Sequence, residues 1–176
     1  MIVKPLPIFG AFALLMTPFM DERGYFARTY DESDFRSHAL CTTFPEHSVA
    51  VNRRSGIVRG LHYQADPCDE VKVIRCSRGA IFDVLVDVRP DSETYGCWHG
   101  VELREDEGVQ IYAPAGVAHG YQTLEERTDV QYLISAPYVA QRSRGYRYDS
   151  PSLGIAWPIT NALLSARDRS LPLFER

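Results

Sequence analysis

Cysteine is scarce in this chain: four in 176 residues, at Cys41, Cys68, Cys76 and Cys97, with no C-x-x-C pair. That spacing argues against a zinc knuckle, and the number is low for a disulfide scaffold of this length. The four read as buried or half-buried thiols in a reducing cytoplasm. Basic tracts are missing too. Nineteen Lys and Arg against 23 Asp and Glu leave a formal charge of −4, with no tail or stripe of cations. Nucleic acid is therefore not an expected partner. The apolar stretch from Pro7 to Met20 is too short to cross a bilayer. It has only Lys4 before it and is followed by Asp21-Glu22 instead of a small-residue cleavage site, so it makes a poor secretion signal. There is no internal repeat and no low-complexity segment, and helix signals are few.

What the chain does contain is short apolar runs broken by Gly, Pro, Asp and Asn clusters, the spacing of an all-β sandwich or barrel. Apolar residues make up 45% and charged residues 24%, the ordinary globular range, and the length suits a single domain over residues 1–176. Glu70 to Ser77 alternates, which puts Lys72, Ile74 and Cys76 on one face and Val71, Val73 and Arg75 on the other. Ala80 to Arg89 does the same, with Phe82, Val84, Val86 and Val88 opposite Asp83, Leu85, Asp87 and Arg89. Ser77-Arg78-Gly79 reads as a hairpin turn between the two. Val101–Leu103, Val109–Ala113 and Asp129–Ser135 continue the series, and Pro90, Pro114 and Pro137 lie where strands should have ended. Asp31 to His38, capped by Asp31 or Ser33, and Asn161 to Arg169 are the two candidate helices. The expected class is an antiparallel sheet closed into a barrel, which hides its edges.

Two spaced patterns carry the chemistry. One is Gly56-x2-Arg59-Gly60-x-His62-x-Gln64, with Glu70 and Gly79 beyond it; the other is Gly108-x5-Pro114-x-Gly116-x2-His119. Together they resemble the two motifs of the cupin superfamily, a jelly-roll barrel whose metal-binding members take two His and a Glu from the first motif and a His from the second. Gln64 stands in place of the second His. His62, Glu70 and His119 remain as a three-ligand set, so a metal-dependent oxygenase or isomerase stays open beside a metal-free site.

The resemblance narrows further. Asp21-Glu22-Arg23-Gly24-Tyr25-Phe26, Val58-Arg59-Gly60-Leu61-His62-Tyr63-Gln64, Gly79 to Arg89, Pro114 to Tyr121, Gln131-Tyr132 and Leu164 to Asp168 follow one another in the order of the dTDP-4-dehydrorhamnose 3,5-epimerase family. Similarity covers nearly the whole chain. It implies an isomerase that inverts carbons beside the ketone of a nucleotide-linked 4-keto-6-deoxyhexose without a cofactor. It also implies a homodimer that exchanges N-terminal strands, which would bury the apolar stretch before Asp21.

Inversion beside a ketone requires a base, a charge to hold the enolate oxygen, and an acid on the opposite face. His62 is the candidate base, since a neutral imidazole accepts a proton near neutral pH. The resemblance makes Asp168 its orienting partner, with Asp83 as the runner-up. Lys72, on a mainly apolar strand, is the candidate oxyanion cation. Tyr132 is the proton donor by resemblance alone; nothing else selects it from ten tyrosines.

For substrate binding, Arg23, Arg59 and His119 match family positions that touch the diphosphate or sugar, and a guanidinium fork suits a pyrophosphate. Phe26 and Tyr138 would pack on the base or sugar. The chain departs from the family at Arg28, where an acidic residue is usual, and at His47-Ser48-Val49-Ala50-Val51, where the pattern is Gln-x-Asn-x-Ser. Those positions contact the nucleotide in the family, so GDP or CDP compete with dTDP as the donor, and inversion of one carbon or of both stays open. A non-catalytic sugar-nucleotide binding protein on the same barrel is the third reading. His62, Lys72, Tyr132 and Asp168 together argue against it, because binding alone needs neither base nor acid.

Overall fold

Alternating apolar positions in short segments fold here into two antiparallel sheets, described for all residues Met1–Arg176 by a computed structural model. The strands are β1 (Ile2–Pro5), β2 (Phe12–Leu15), β3 (Phe19–Asp21), β4 (Gly24–Phe26), β5 (Glu46–Asn52), β6 (Val58–Gln64) and β7 (Lys72–Arg78). They continue as β8 (Ala80–Asp87), β9 (Trp98–Arg104), β10 (Val109–Ala113), β11 (Val117–Thr123), β12 (Thr128–Ile134) and β13 (Ser143–Gly145), with helices α1 (Glu32–Ser37) and α2 (Ala166–Arg169). One sheet runs β1-β2-β10-β7-β12-β5 and the other β13-β6-β11-β8-β9; β3 and β4 form a separate hairpin.

The main core lies between the sheets. Ile74, Cys76, Ile111 and Val130 from the first sheet meet Ile81, Leu85, Leu103 and Tyr121 from the second, all essentially without solvent contact. Each such aliphatic side chain contributes about 1.5–3 kcal/mol by leaving water. The outer face of the second sheet is covered as well: Val84 and Val86 pack with Leu153 and Phe174 from the C-terminal segment. The face split expected along β8 therefore holds, although both faces are buried. On β7, Ile74 and Cys76 face inward, while Val73 packs outward with Leu14, Phe35 and Leu40.

Several local expectations change. Ser77-Arg78-Gly79 is not a hairpin turn. β7 pairs with β10 and β12, whereas β8 pairs with β11 and β9. Gly79 thus turns the chain from one sheet to the other. Its φ of 73° is a left-handed value, and an added Cβ would lie 2.7 Å from Thr128 Oγ1. A left-handed glycine serves a hairpin and a sheet-to-sheet corner equally, so the local signal could not separate them.

The first helix forms with Asp31 as its cap, the carboxylate accepting from Ser33 N and Asp34 N. The second shrinks from Asn161–Arg169 to one turn, because Leu163 bonds with its backbone to Gly56 and Val58 and so stays extended. Cys97 is exposed, not buried or half-buried. Within Pro7–Met20, Ile8, Ala11 and Leu14 are buried in the core of their own chain, while Phe9, Phe19 and Met20 are exposed. No helix is long and apolar enough to cross a membrane.

Candidate active site

The site grows out of the pairing of β6 with β11, in which His62 and His119 are direct partners. The strands approach too closely for a side chain at Gly60: a Cβ there would lie 2.6 Å from Gly120 Cα and 2.7 Å from the His119 carbonyl oxygen. This is the physical need behind the glycine in the first motif. Beside β6 lies α2. The Leu163 backbone bonds tie its approach to Gly56 and Val58, and Ser165 caps its single turn by accepting from Asp168 N.

That turn delivers Asp168 to His62. The Oδ1–Nε2 distance is 2.7 Å, with the carboxylate buried and the imidazole about one-third exposed. Burial alone would raise the Asp168 carboxyl. Bonds from His62, Ser165 and the Gly60 backbone outweigh it and hold the group below the usual carboxylate range. Asp83, the other candidate partner, goes to the other histidine: Asp83 Oδ1 is 2.6 Å from His119 Nε2, and Asp83 Oδ2 is buried without a partner.

Lys72 and Tyr132 come from the opposite sheet. Lys72 is largely buried and forms an ion pair with Glu70 at the cavity wall. Tyr132, opposite Ile74 in the β12–β7 pairing, sets its ring edge-on to His119 at a centroid distance of 5.8 Å. Burial pushes its phenol well above the ordinary tyrosine range. Tyr121 and Asp83 reinforce that, and the Arg59 charge opposes it.

His62, Glu70, Lys72, His119 and Tyr132 line one cavity of about 380 Å³, together with Arg59, Tyr138 and Asp168. Arg59 donates through Nε to Asn52 Oδ1 at 2.9 Å and is otherwise exposed. Arg167 also lines the cavity, with Nη2 bonded to Ser143 Oγ at 2.6 Å. Sequence reasoning passed over Arg167, although it stands next to Asp168 in the same motif. Glu46, Ser48 and Gln64 were likewise not chosen as site residues and face the cavity.

Four expected binding residues lie outside this chain's cavity. Arg23 sits exposed at the β3–β4 turn and pairs with Asp21 at 2.6 Å, and Phe26 is 66% exposed on the same hairpin. Arg28 lies 3.6 Å from Asp31, the cap of α1. His47 is corrected by strand alternation: Glu46 and Ser48 face the cavity, while His47 turns to the other side of β5 beside Tyr30 and Phe44. The candidate metal set is not assembled either. His62, His119 and Glu70 each bind a different partner, and no three His, Cys, Asp or Glu side chains converge as ligands.

Two antiparallel sheets closed over a shared core, with a polar cavity between them, define a cupin-type jelly-roll barrel. Within that class, the family model described as dTDP-4-dehydrorhamnose 3,5-epimerase matches residues 5–176, and the chain belongs to this family. It is 43% identical over 155 residues to the dTDP-4-dehydrorhamnose 3,5-epimerase of Sinorhizobium fredii, covering 88% of this chain and 80% of that one. Its fold matches the crystal structure of the Bacillus anthracis enzyme with TDP and PPi bound at a TM-score of 0.95, with 35% identity and 98% of each chain covered. ChmJ, a 3′-monoepimerase from Streptomyces bikiniensis solved with dTDP-quinovose, matches at 0.90 and 34% identity, covering 96% of this chain and 86% of that one.

Proposed function

We propose that this protein epimerises a dTDP-linked 4-keto-6-deoxyhexose at C5, C3 or both, by proton transfer between side chains on facing sheets. The observation that carries this is the placement of the His62–Asp168 pair on one sheet side of a single cavity, with Tyr132 and Lys72 on the other. A base and an acid that approach a sugar ring from opposite sides are what inversion requires.

Asp168 occupies Nε2 of His62, which leaves Nδ1 as the basic nitrogen. Nδ1 takes the proton beside the C4 ketone, and the electron pair moves into an enolate. Asp168 holds the ring in the right tautomer and stabilises the imidazolium. The Lys72 ammonium stabilises the enolate oxygen in the sheltered cavity. Tyr132, held protonated by its burial, then delivers a proton to the opposite face of the same carbon. The Tyr132 phenolate then takes a proton from water and the imidazolium returns one to water, so the steps balance with side chains and solvent.

Arg59 and Arg167 at the cavity wall suit the diphosphate. Thymidine is favoured over GDP and CDP because related enzymes were solved with dTDP-linked ligands, among them the Legionella pneumophila enzyme with dTDP-4-keto-L-rhamnose. ChmJ shows that a single-carbon epimerase shares this fold, so the number of carbons inverted is set by ring placement.

The protein acts in the cytoplasm as a homodimer with exchanged N-terminal strands. The β3–β4 hairpin exposes Phe19 (73%), Met20 (71%) and Phe26 (66%), an apolar surface that a second copy would cover, bringing Arg23 and Phe26 to the partner's cavity. The decisive test is incubation with dTDP-, GDP- and CDP-linked 4-keto sugars in heavy water. Deuterium enters C5, C3 or both of the dTDP sugar, chelators leave the rate unchanged, and His62→Ala slows it about 10²–10⁴-fold. Exchange by His62→Ala at the wild-type rate would sink the reading.

A further inference from the structure

Gln64 stands where the cupin pattern has its second histidine. The residue is 2% exposed at the cavity edge, yet every polar atom of its amide is committed to backbone. Oε1 accepts from Val139 N–H at 2.6 Å, and Nε2 donates to the Pro137 carbonyl at 3.2 Å and the Cys68 carbonyl at 3.1 Å. Two carbonyls demand a donor and one N–H demands an acceptor. An amide meets that demand in one orientation; a carboxylate has no donor, and an imidazole has too few positions.

From the facing sheet, Glu46 Oε1 accepts from Tyr138 N–H at 3.1 Å. Residues 137, 138 and 139 are thus fastened in succession by side chains from β5 and β6. At the centre is Tyr138, whose ring lines the cavity while 56% exposed and whose hydroxyl forms no hydrogen bond to the protein. A large ring at a mouth, without an anchor of its own, takes its position from the backbone beneath it. Ordering that backbone before substrate arrives removes an entropic cost of binding.

We propose that Gln64 and Glu46 are positioning residues that hold Tyr138 over the cavity mouth, and that they set the affinity for the nucleotide sugar, not the rate of proton transfer. This rests on the epimerase reading and names a device that serves it.

Gln64→Glu is the sharpest variant. It keeps the shape and sets a carboxylate oxygen against two carbonyl oxygens. Expected is a rise in KM of about tenfold with kcat within about twofold of wild type. Tyr138→Ala should raise KM similarly, and the double variant should be no worse than Tyr138→Ala, because the first residue acts through the second. Glu46→Ala should raise KM as well, while Glu46→Gln, which retains the accepting oxygen, recovers most of the loss.

Amide hydrogen exchange reads the clamp without activity: Tyr138 and Val139 N–H should lose protection in Gln64→Glu while the strands keep theirs. Additive effects in the double variant, a fall in kcat at constant KM, or unchanged amide protection would each overturn the proposal. A wild-type protein that incorporates no deuterium would instead overturn the epimerase reading. The clamp would then stand or fall on the amide exchange and on dTDP affinity by calorimetry.

Discussion

At the scale of single residues, the site works by difference. Two histidines sit side by side, each bonded to its own aspartate, but His62 is partly open and His119 is 5% exposed. Both line the cavity, and His62 is the more accessible imidazole of the two. Tyr132 lies across from His62, and this predicts a split in its variant. On the proposed mechanism Tyr132→Phe removes the acid and spares the base, so deuterium should still enter from the His62 side while inversion falls about 10²–10⁴-fold. NMR that follows both label and stereochemistry separates the two rates; parallel loss of both would place Tyr132 in binding instead. Because burial raises the Tyr132 phenol, the inversion rate should also show no loss from its ionisation at the ordinary tyrosine value near 10.

At the scale of elements, what matters is how turns hold the strands that carry these residues. The β8–β9 connection is organised by Asp87, which is fully buried and accepts from Arg89 Nε at 2.8 Å and from Ser92 Oγ and Thr94 Oγ1 at 2.5 Å each. Burial would raise this carboxyl, but the three partners outweigh it and lower it to about 2. A depressed carboxyl contributes stability that is complete above its unfolded value near 4 and is lost as pH falls through about 2. Asp87→Asn should therefore cost about 2–3 kcal/mol at pH 7. The gap from wild type should narrow between pH 4 and 2, as urea melts at several pH values would show. A gap independent of pH would mean that packing, not charge, is lost.

The same scale shows why element boundaries were only partly legible. Strand positions and face alternation along β7 and β8 follow from local side-chain order. The corner at Gly79 and the shortening of α2 depend on Thr128 and on Gly56 and Val58, partners distant in the chain.

At the scale of the whole molecule, the β3–β4 hairpin stands apart from the cavity of its own chain. Arg23 and Phe26 lie on an exposed hairpin outside their own chain's cavity. The exchanged dimer proposed above predicts complementation. Inactive Arg23→Ala and His62→Ala proteins, mixed and allowed to exchange subunits, form heterodimers in which one site has His62 from one chain and Arg23 from the other. Activity should return toward half that of wild type per heterodimer. No recovery, with heterodimers shown by native mass spectrometry, would put Arg23 outside the site.

Composition and order of residues by themselves determined the all-β class and the faces of β7 and β8, which depend on local periodicity, and motifs contiguous in the chain carried the family resemblance that made His62, Lys72, Tyr132 and Asp168 the candidates. Tertiary structure alone decided that Asp168 and not Asp83 meets His62, that His47 turns away while Arg167 turns in, and that Gln64 fastens the segment bearing Tyr138. The reason is physical. A carboxylate, a guanidinium or an amide carries no mark of its partner until folding brings a complementary group within about 3 Å of it.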